Sequence, residues 1–302
     1  MPDQGHVSQA CTYLRMLLLR PGEYRNRWEQ RRDQAAAEDR YQAVARVIED
    51  AGDRVLVGTP GTAMAEVARR ALEGAELSPP VADAFVNGFG LTTRQAQRLR
   101  DLLRGSPTIR VISGHTLPPE RYQAGQLRHE TLSLHELHVL GPDGWPAEHE
   151  TIQVIRATED GLDAMPYRFD TDELMVQVIR GGRVGERPYR VDDSIFGVDI
   201  VLPRPLKAGE TALMQYRCTF FYKSAPAPEL RRAVLRGARD LTMWVTFHPQ
   251  RVPARVFRAT WDRLDLARVT ERVHVELDDE LSVHHRFGRV EKAVVGFYWE
   301  WD

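Results

Sequence analysis

The spacing of apolar residues along this chain changes from a helical to an alternating period near residue 107. Before that point apolar residues recur every three or four positions, which predicts amphipathic helices over 23–50 and 62–73. After it they alternate with polar residues and are separated by turn-forming residues, the pattern of short strands. We therefore predict a helical domain over 1–107 and a β domain over 108–302.

The strongest local signals predict a helix-turn-helix-like pair over 79–104. Ser78 before Pro79 is typical of a helix start. Thr92 with Gln95 three residues later has the pattern of a capping box, which predicts a second start. Glycines lie between these two starts, so the expected structure is a helix, a short glycine turn and a second helix.

The second part is predicted to be an antiparallel β-sandwich with one inserted helix, so the fold class is α+β. The runs predicted as strands are 130–140, 149–157, 173–180, 195–202, 211–222, 241–248, 254–261, 270–277 and 293–301. Residues 228–239 interrupt this pattern with closely spaced arginines. We predict that they form the inserted helix.

Composition narrows the class of protein. The longest apolar runs are far shorter than the roughly 20 residues that cross a bilayer, and the first residues lack the basic region of a signal peptide. Cys11 and Cys218 are too few for a disulfide framework or a thiolate metal cage, which indicates a reducing compartment. We therefore predict a cytoplasmic protein with no membrane partner, and no cofactor is indicated.

Four stretches carry a resemblance to a known family: 129–138, 151–156, 247–249 and 295–301. They are similar to a family of uncharacterised actinobacterial proteins. Some members are labelled regulators because of an N-terminal helix-turn-helix of the xenobiotic-response-element type. The resemblance covers roughly the C-terminal two thirds of the chain and implies no known activity.

The second helix of the predicted pair carries side chains that suit contact with DNA. They are Thr92, Thr93, Arg94, Gln95, Gln97, Arg98, Arg100 and Arg104. Arginines bind phosphates, and the smaller polar groups reach base edges. Residues 1–107 contain 15 arginines and 14 acidic residues, a net charge of +1, so the segment is not basic as a whole. Contact with an acidic protein partner and plain helix packing are the alternatives.

The predicted inserted helix supplies a second basic patch. It consists of Arg231, Arg232, Arg236 and Arg239. Such a patch suits nucleic acid or an acidic partner. A solvated helix surface is the alternative.

Four histidines near one predicted hairpin are candidate metal ligands. They are His129, His135, His138 and His149. Imidazole together with nearby carboxylates suits zinc, iron or manganese. In a regular strand, however, His135 and His138 point to opposite faces, and only a bulge near His135 would realign them. Exposed or hydrogen-bonded strand residues are the alternative.

Three further features have structural explanations. Residues 55–62 look like a strand entering a phosphate loop, but the lysine of such a loop is missing. Cys218 falls on the expected core face of its strand, which indicates packing rather than nucleophilic chemistry. The alternating residues Val295, Phe297, Trp299 and Trp301 also predict core packing.

These features predict a cytoplasmic regulatory or partner-binding protein that engages DNA or a partner through 79–104. One alternative is an enzyme with an unfamiliar, metal-dependent site near the 129–149 hairpin. Another is a non-catalytic protein-interaction module. The sequence contains no recognisable nucleophile motif, so it favours a function other than catalysis.

Overall fold

The computed structural model describes residues 4–32, 40–51, 64–113, 128–171, 173–191, 195–234, 237–262 and 268–302. The chain divides into two compact units, Met1–Val111 and Ile112–Asp302. Unit 1 is helical and unit 2 is rich in β-strands, as the change of apolar period predicts. Among the described residues, no helix combines the length and apolar character that crossing a membrane requires.

The helices of unit 1 are α1 (Gln4–Leu19), α2 (Glu23–Glu29), α3 (Arg40–Asp50), α4 (Met64–Glu73), α5 (Pro79–Phe89) and α6 (Thr93–Leu103). The predicted single helix over 23–50 is wrong, because α2 ends at Glu29 and the chain turns there. The Arg31 N–H donates to the Trp28 carbonyl at 3.1 Å. The buried Trp28 indole donates to the Leu18 carbonyl at 2.7 Å and so attaches α2 to the end of α1.

Helices α5 and α6 begin and end where the sequence predicts. Ser78 is the extended N-cap of α5, and Gly90 ends that helix with a left-handed φ of 60° that glycine adopts without strain. Thr92 caps α6. Its hydroxyl accepts from the Gln95 N–H at 3.3 Å, and its own N–H donates to Gln95 Oε1 at 2.9 Å. The predicted capping box is therefore confirmed.

The strands of the β-rich part are β1 (Ile109–Ser113), β2 (His129–Leu140), β3 (Pro146–Ala157), β4 (Leu162–Phe169), β5 (Glu173–Arg180), β6 (Arg183–Val184), β7 (Tyr189–Arg190), β8 (Phe196–Leu206), β9 (Thr211–Phe220), β10 (Glu229–Val234), β11 (Ala238–Thr246), β12 (Arg255–Trp261), β13 (Val269–Val275), β14 (Ser282–Val290) and β15 (Ala293–Glu300). Each predicted strand overlaps one of these.

The strands form one large sheet and two smaller ones. The seven-stranded sheet has the order β1-β5-β9-β3-β2-β11-β14. One four-stranded sheet has the order β10-β15-β12-β13, and the other joins β4, β8 and β6, with β7 paired to β8. The pair β2 and β11 is parallel, which corrects the prediction of a wholly antiparallel arrangement.

Two of the hydrophobic clusters in unit 2 each combine residues of the large sheet with residues of one small sheet. The first includes Met214 and Tyr216 of β9 together with Val198 of β8. The second includes Met243 of β11 together with Phe297 of β15. The predicted core placement of Cys218 is confirmed, because it is fully buried in the first cluster.

The predicted inserted helix over 228–239 is wrong. Residues 229–234 form β10, which pairs antiparallel with β15, and β11 begins at Ala238. Leu230 and Val234 are buried and lie four positions apart, on the same face of β10, as in a strand with one covered face. Leucine, arginine and alanine favour helix in isolation, but burial against β15 and its neighbours decides the structure here.

Candidate functional site

The turn between α5 and α6 is held in place by α2. The Tyr24 hydroxyl donates to Gln95 Oε1 at 2.6 Å, and its ring meets that of Phe89 edge to face at 6.5 Å. The Arg27 guanidinium donates to the Phe89 carbonyl, one of the acceptors left open at the end of α5. The start of α6 is therefore fixed by side chains from a third helix.

The exposed surface of α6 and its caps retains most of the predicted DNA-contacting residues. Exposed members are Thr92, Thr93, Arg94, Gln97 and Arg104. Gln95 is half-buried because it serves the capping box and accepts from Tyr24. Hydroxyl, amide and guanidinium groups therefore lie together at the N-terminal end of one helix.

Arg98 does not belong to this exposed surface, which corrects its predicted role. Its side chain is only 4% exposed. In a helix, position 98 shares a face with positions 95 and 102, and Leu102 is buried in the helical core. Arg98 therefore packs within unit 1, where DNA does not reach it in this structure.

Acidic neighbours moderate the charge of the remaining arginines. Arg100 pairs with Asp83 of α5 at 2.8 Å, and Arg104 lies 3.6 Å from Asp101. Asp101 also accepts from the Gln97 amide at 2.8 Å. The part of α6 that is rich in hydrogen-bond donors and distant from these carboxylates is its first turn, with Thr93 and Arg94.

The second candidate site is a buried polar cluster on the seven-stranded sheet. His138 of β2 lies opposite His149 of β3, with their Nδ1 atoms 3.2 Å apart. The other ring nitrogen of His149 lies 3.4 Å from Glu136 Oε1. The same carboxylate receives the guanidinium of Arg232, which extends from β10 of the neighbouring small sheet. We call these four residues the polar cluster.

Burial and charge shift the protonation of the polar cluster. Glu136 and His138 are each 4% exposed. Burial alone would raise the pKa of Glu136, but the Arg232 guanidinium and the His149 imidazole outweigh it and lower that pKa to about 2. Burial, with His149 beside it, lowers the pKa of His138 to about 3. Glu136 is therefore ionised and His138 neutral at neutral pH.

The polar cluster does not form the predicted four-histidine metal site. His149 directs one nitrogen to His138 and the other to Glu136, so the three side chains do not converge on one ion. His135 is exposed on the opposite face of β2. His129 lies nine residues along the same strand from His138, about 30 Å at 3.3 Å per residue. In the described ranges no group of three or more His, Cys, Asp or Glu side chains is placed to hold a metal.

A bulge does occur in β2, between Thr131 and Ser133, but it lies upstream of His135. His135 and His138 therefore keep the opposite orientations that a regular strand predicts. Leu134, Glu136 and Leu140 lie on the same face of β2 as His138, and all of them are buried. This alternation along β2 is the signal in the sequence that predicts an inward orientation for Glu136 and His138.

The predicted second basic patch is not formed, because strand geometry separates its members. Arg231 and Arg232 are adjacent in β10 and point to opposite faces. Arg231 pairs with Glu229 at 2.8 Å, Arg232 pairs with Glu136, and Arg239 of β11 pairs with Glu130 at 2.9 Å. Arg236 lies outside the described residues, as does the phosphate-loop-like segment 55–62.

The aromatic C-terminal strand packs mainly inward. Trp299 is 1% exposed, and Phe247 meets its ring edge to face at 5.3 Å. Trp301 is half-buried, with the Arg251 guanidinium 4.9 Å from its ring centre. The predicted core role of Trp299 is confirmed, and burial of this residue disfavours a contiguous exposed aromatic surface at the chain end.

No family model matches the chain, and no curated protein matches it. Among solved structures, it is similar to a protein of Parabacteroides distasonis ATCC 8503 proposed to be a protease, with 10% identity and a TM-score of 0.38 over 57% of this chain and 40% of that one. It is also similar to the M1 zinc metallopeptidase of Deinococcus radiodurans, with 15% identity and a TM-score of 0.28 over 57% and 43%. The chain spans less than half of either protein, and similarity at this level assigns it no activity.

Proposed function

We propose that this protein is a cytoplasmic regulator that contacts DNA through the exposed first turn of α6. The observation that carries the proposal is the set of exposed side chains there: Thr92, Thr93, Arg94 and Gln97. Two short helices joined by a three-residue turn with glycine have the organisation of a helix-turn-helix, in which the second helix enters the major groove with its N-terminal residues.

The fixed position of this turn supports the same proposal. A helix that reads bases has to keep its first turn in one orientation, since hydrogen bonds to base edges depend on geometry. Tyr24 and Arg27 of α2 provide that support through Gln95 and the Phe89 carbonyl. The exposed side chains there are the Arg94 guanidinium, which suits phosphate, and short polar groups, which suit base edges.

We further infer that unit 2 is a two-layer β-sandwich that serves as the sensing or assembling part of the regulator. The two hydrophobic clusters support this arrangement, because each joins the large sheet to a small one.

The test is selection of DNA from a random duplex library by the full-length protein, followed by titration of the selected duplex. We expect Arg94→Ala to weaken binding to all duplexes and Gln97→Ala to weaken binding to the selected sequence more than to others. The matched control is Arg46→Ala, which removes an exposed arginine from α3. The proposal fails if no sequence is enriched, or if Arg94→Ala and Arg46→Ala behave alike.

A further inference from the structure

Strand β13 is an exposed sheet edge. It ends the order β10-β15-β12-β13, and within the described residues its strand partner is β12 alone. All of its residues except Val275 are exposed, on both faces of the sheet. Val269 and Val273 are 43% and 41% exposed. An edge of this kind presents unpaired backbone groups to which another strand can pair.

One face of β13 presents hydrogen-bond donors. Arg272 and His274 are two positions apart and share the face that holds Phe257 of β12. The Arg272 guanidinium donates to the hydroxyl of Tyr298 at 3.1 Å and lies 5.2 Å from the Phe257 ring centre. Glu300, the carboxylate beside them, pairs with Arg255 at 2.5 Å, and its charge also acts on Arg272. Because two guanidinium groups face one carboxylate here, this face keeps an excess of positive charge that favours an incoming carboxylate.

The opposite face of β13 has a different character. Glu271 and Val273 lie there, since they alternate with Arg272 and His274. The Glu271 carboxylate repels an acid on this face, whereas Val273 offers apolar contact. The two faces together select a strand whose acidic residues all lie on one side.

Two other sheet edges do not offer this combination. At the far edge of the same sheet, Arg231 and Arg232 of β10 are bound by Glu229 and Glu136. At the edge formed by β14, Arg286 is bound by Asp240 at 2.8 Å. Arginines at those edges already have carboxylate partners, whereas the hydrogen bond from Arg272 goes to a hydroxyl.

We propose that β13 binds an extended segment of a partner protein in which acidic and apolar residues alternate. Backbone hydrogen bonds add the segment to the sheet as a further strand, and alternate side chains supply selectivity. Acidic residues two positions apart, about 7 Å along a strand, reach Arg272 and His274. This interaction is independent of DNA contact by α6.

The experiment uses the full-length protein and arrays of eight-residue peptides. One array alternates Glu with Val or Ile, the second replaces every Glu by Lys, and the third places the same Glu residues consecutively. We expect binding to the first array only. Hydrogen exchange of the protein with its best peptide should slow in residues 269–275.

Arg272→Glu should weaken binding of the best acidic peptide about tenfold or more, the effect of one charge-assisted hydrogen bond, and Arg272→Lys should retain most of it. Arg289→Glu, at an exposed position of β14, is the matched control and should leave binding unchanged. Hydrogen exchange on the unmodified protein tests where the peptide binds, even if a variant fails to fold.

Four results would overturn the proposal. They are no binding to the alternating acidic array, equal binding to the lysine array, slowed exchange outside β13, and protection of β13 that rises with protein concentration without peptide. The last result would identify a second copy of the chain as the strand that pairs with this edge.

Discussion

Removing the Glu136 carboxylate tests whether the polar cluster stabilises unit 2. Glu136 is 4% exposed and contacts both Arg232 and His149. Replacing Glu136 by Leu leaves the Arg232 guanidinium without its anion. Breaking a buried pair in this way costs about 3–5 kcal/mol. Because the Arg232 side chain is 25% exposed and retains some solvent, we expect a loss of about 3 kcal/mol, at the lower end of that range.

The assay is urea unfolding followed by tryptophan fluorescence. Five of the six tryptophans lie in unit 2 and only Trp28 lies in unit 1, so the signal reports mainly on the β-rich part. For a unit of this size, a loss of about 3 kcal/mol corresponds to a fall in Tm of about 6–12 °C. The variant Arg232→Met should show a comparable loss, since it leaves the carboxylate unpaired.

The double variant tests whether the loss of stability comes from the unpaired charge that each single variant leaves behind. Apolar replacement of both partners removes the uncompensated charge, so Glu136→Leu with Arg232→Met should be more stable than either single variant. The reasoning is refuted if Glu136→Leu costs less than about 1 kcal/mol, or if the losses of the two single variants simply add.

Two further predictions concern His138 and Gly88. The folded state holds the pKa of His138 at about 3, below the usual 6.5 of a histidine, so its contribution to stability is complete above pH 6.5 and is lost as the pH falls towards 3. Relative to His138→Gln, the unmodified protein should lose stability progressively as the pH falls across that window, measured by urea unfolding at several pH values; a constant difference would contradict this. At Gly88 an added Cβ would lie 2.8 Å from the Cα of Ile48, so Gly88→Ala should separate α5 from α3 and lower the Tm of unit 1 by circular dichroism. Gly74→Ala, where a Cβ meets open space but φ is 90°, reports the backbone cost alone, and equal losses would refute the packing argument.

Local signals in the sequence predict the helix pair well. The bounds of α5 and α6 depend on contacts within a few residues, namely the capping box of Thr92 with Gln95 and the left-handed Gly90. The bracing of that turn by Tyr24 and Arg27 joins residues more than 60 positions apart. Spacing within one sequence does not reveal such contacts.

The errors in the β part have the same cause, because contacts between residues far apart in the sequence decide the structure there. Residues 229–234 have helical propensity, and only pairing with β15 makes them a strand. Once they are a strand, Arg231 and Arg232 diverge, and the predicted patch disappears. The histidine pair is an intermediate case: hairpin pairing brings His138 opposite His149, but the second partner of Glu136, Arg232, comes from a distant strand.

The salt dependence of DNA binding tests the central claim most directly. Affinity of the full-length protein for its selected duplex should fall with rising salt, and the slope of log K against log salt counts the phosphates neutralised. Arg94→Ala should reduce the magnitude of that slope by about one, whereas Arg46→Ala should leave it unchanged. An identical slope for Arg94→Ala and the unmodified protein, or no measurable DNA binding at low salt, would contradict contact with DNA through α6.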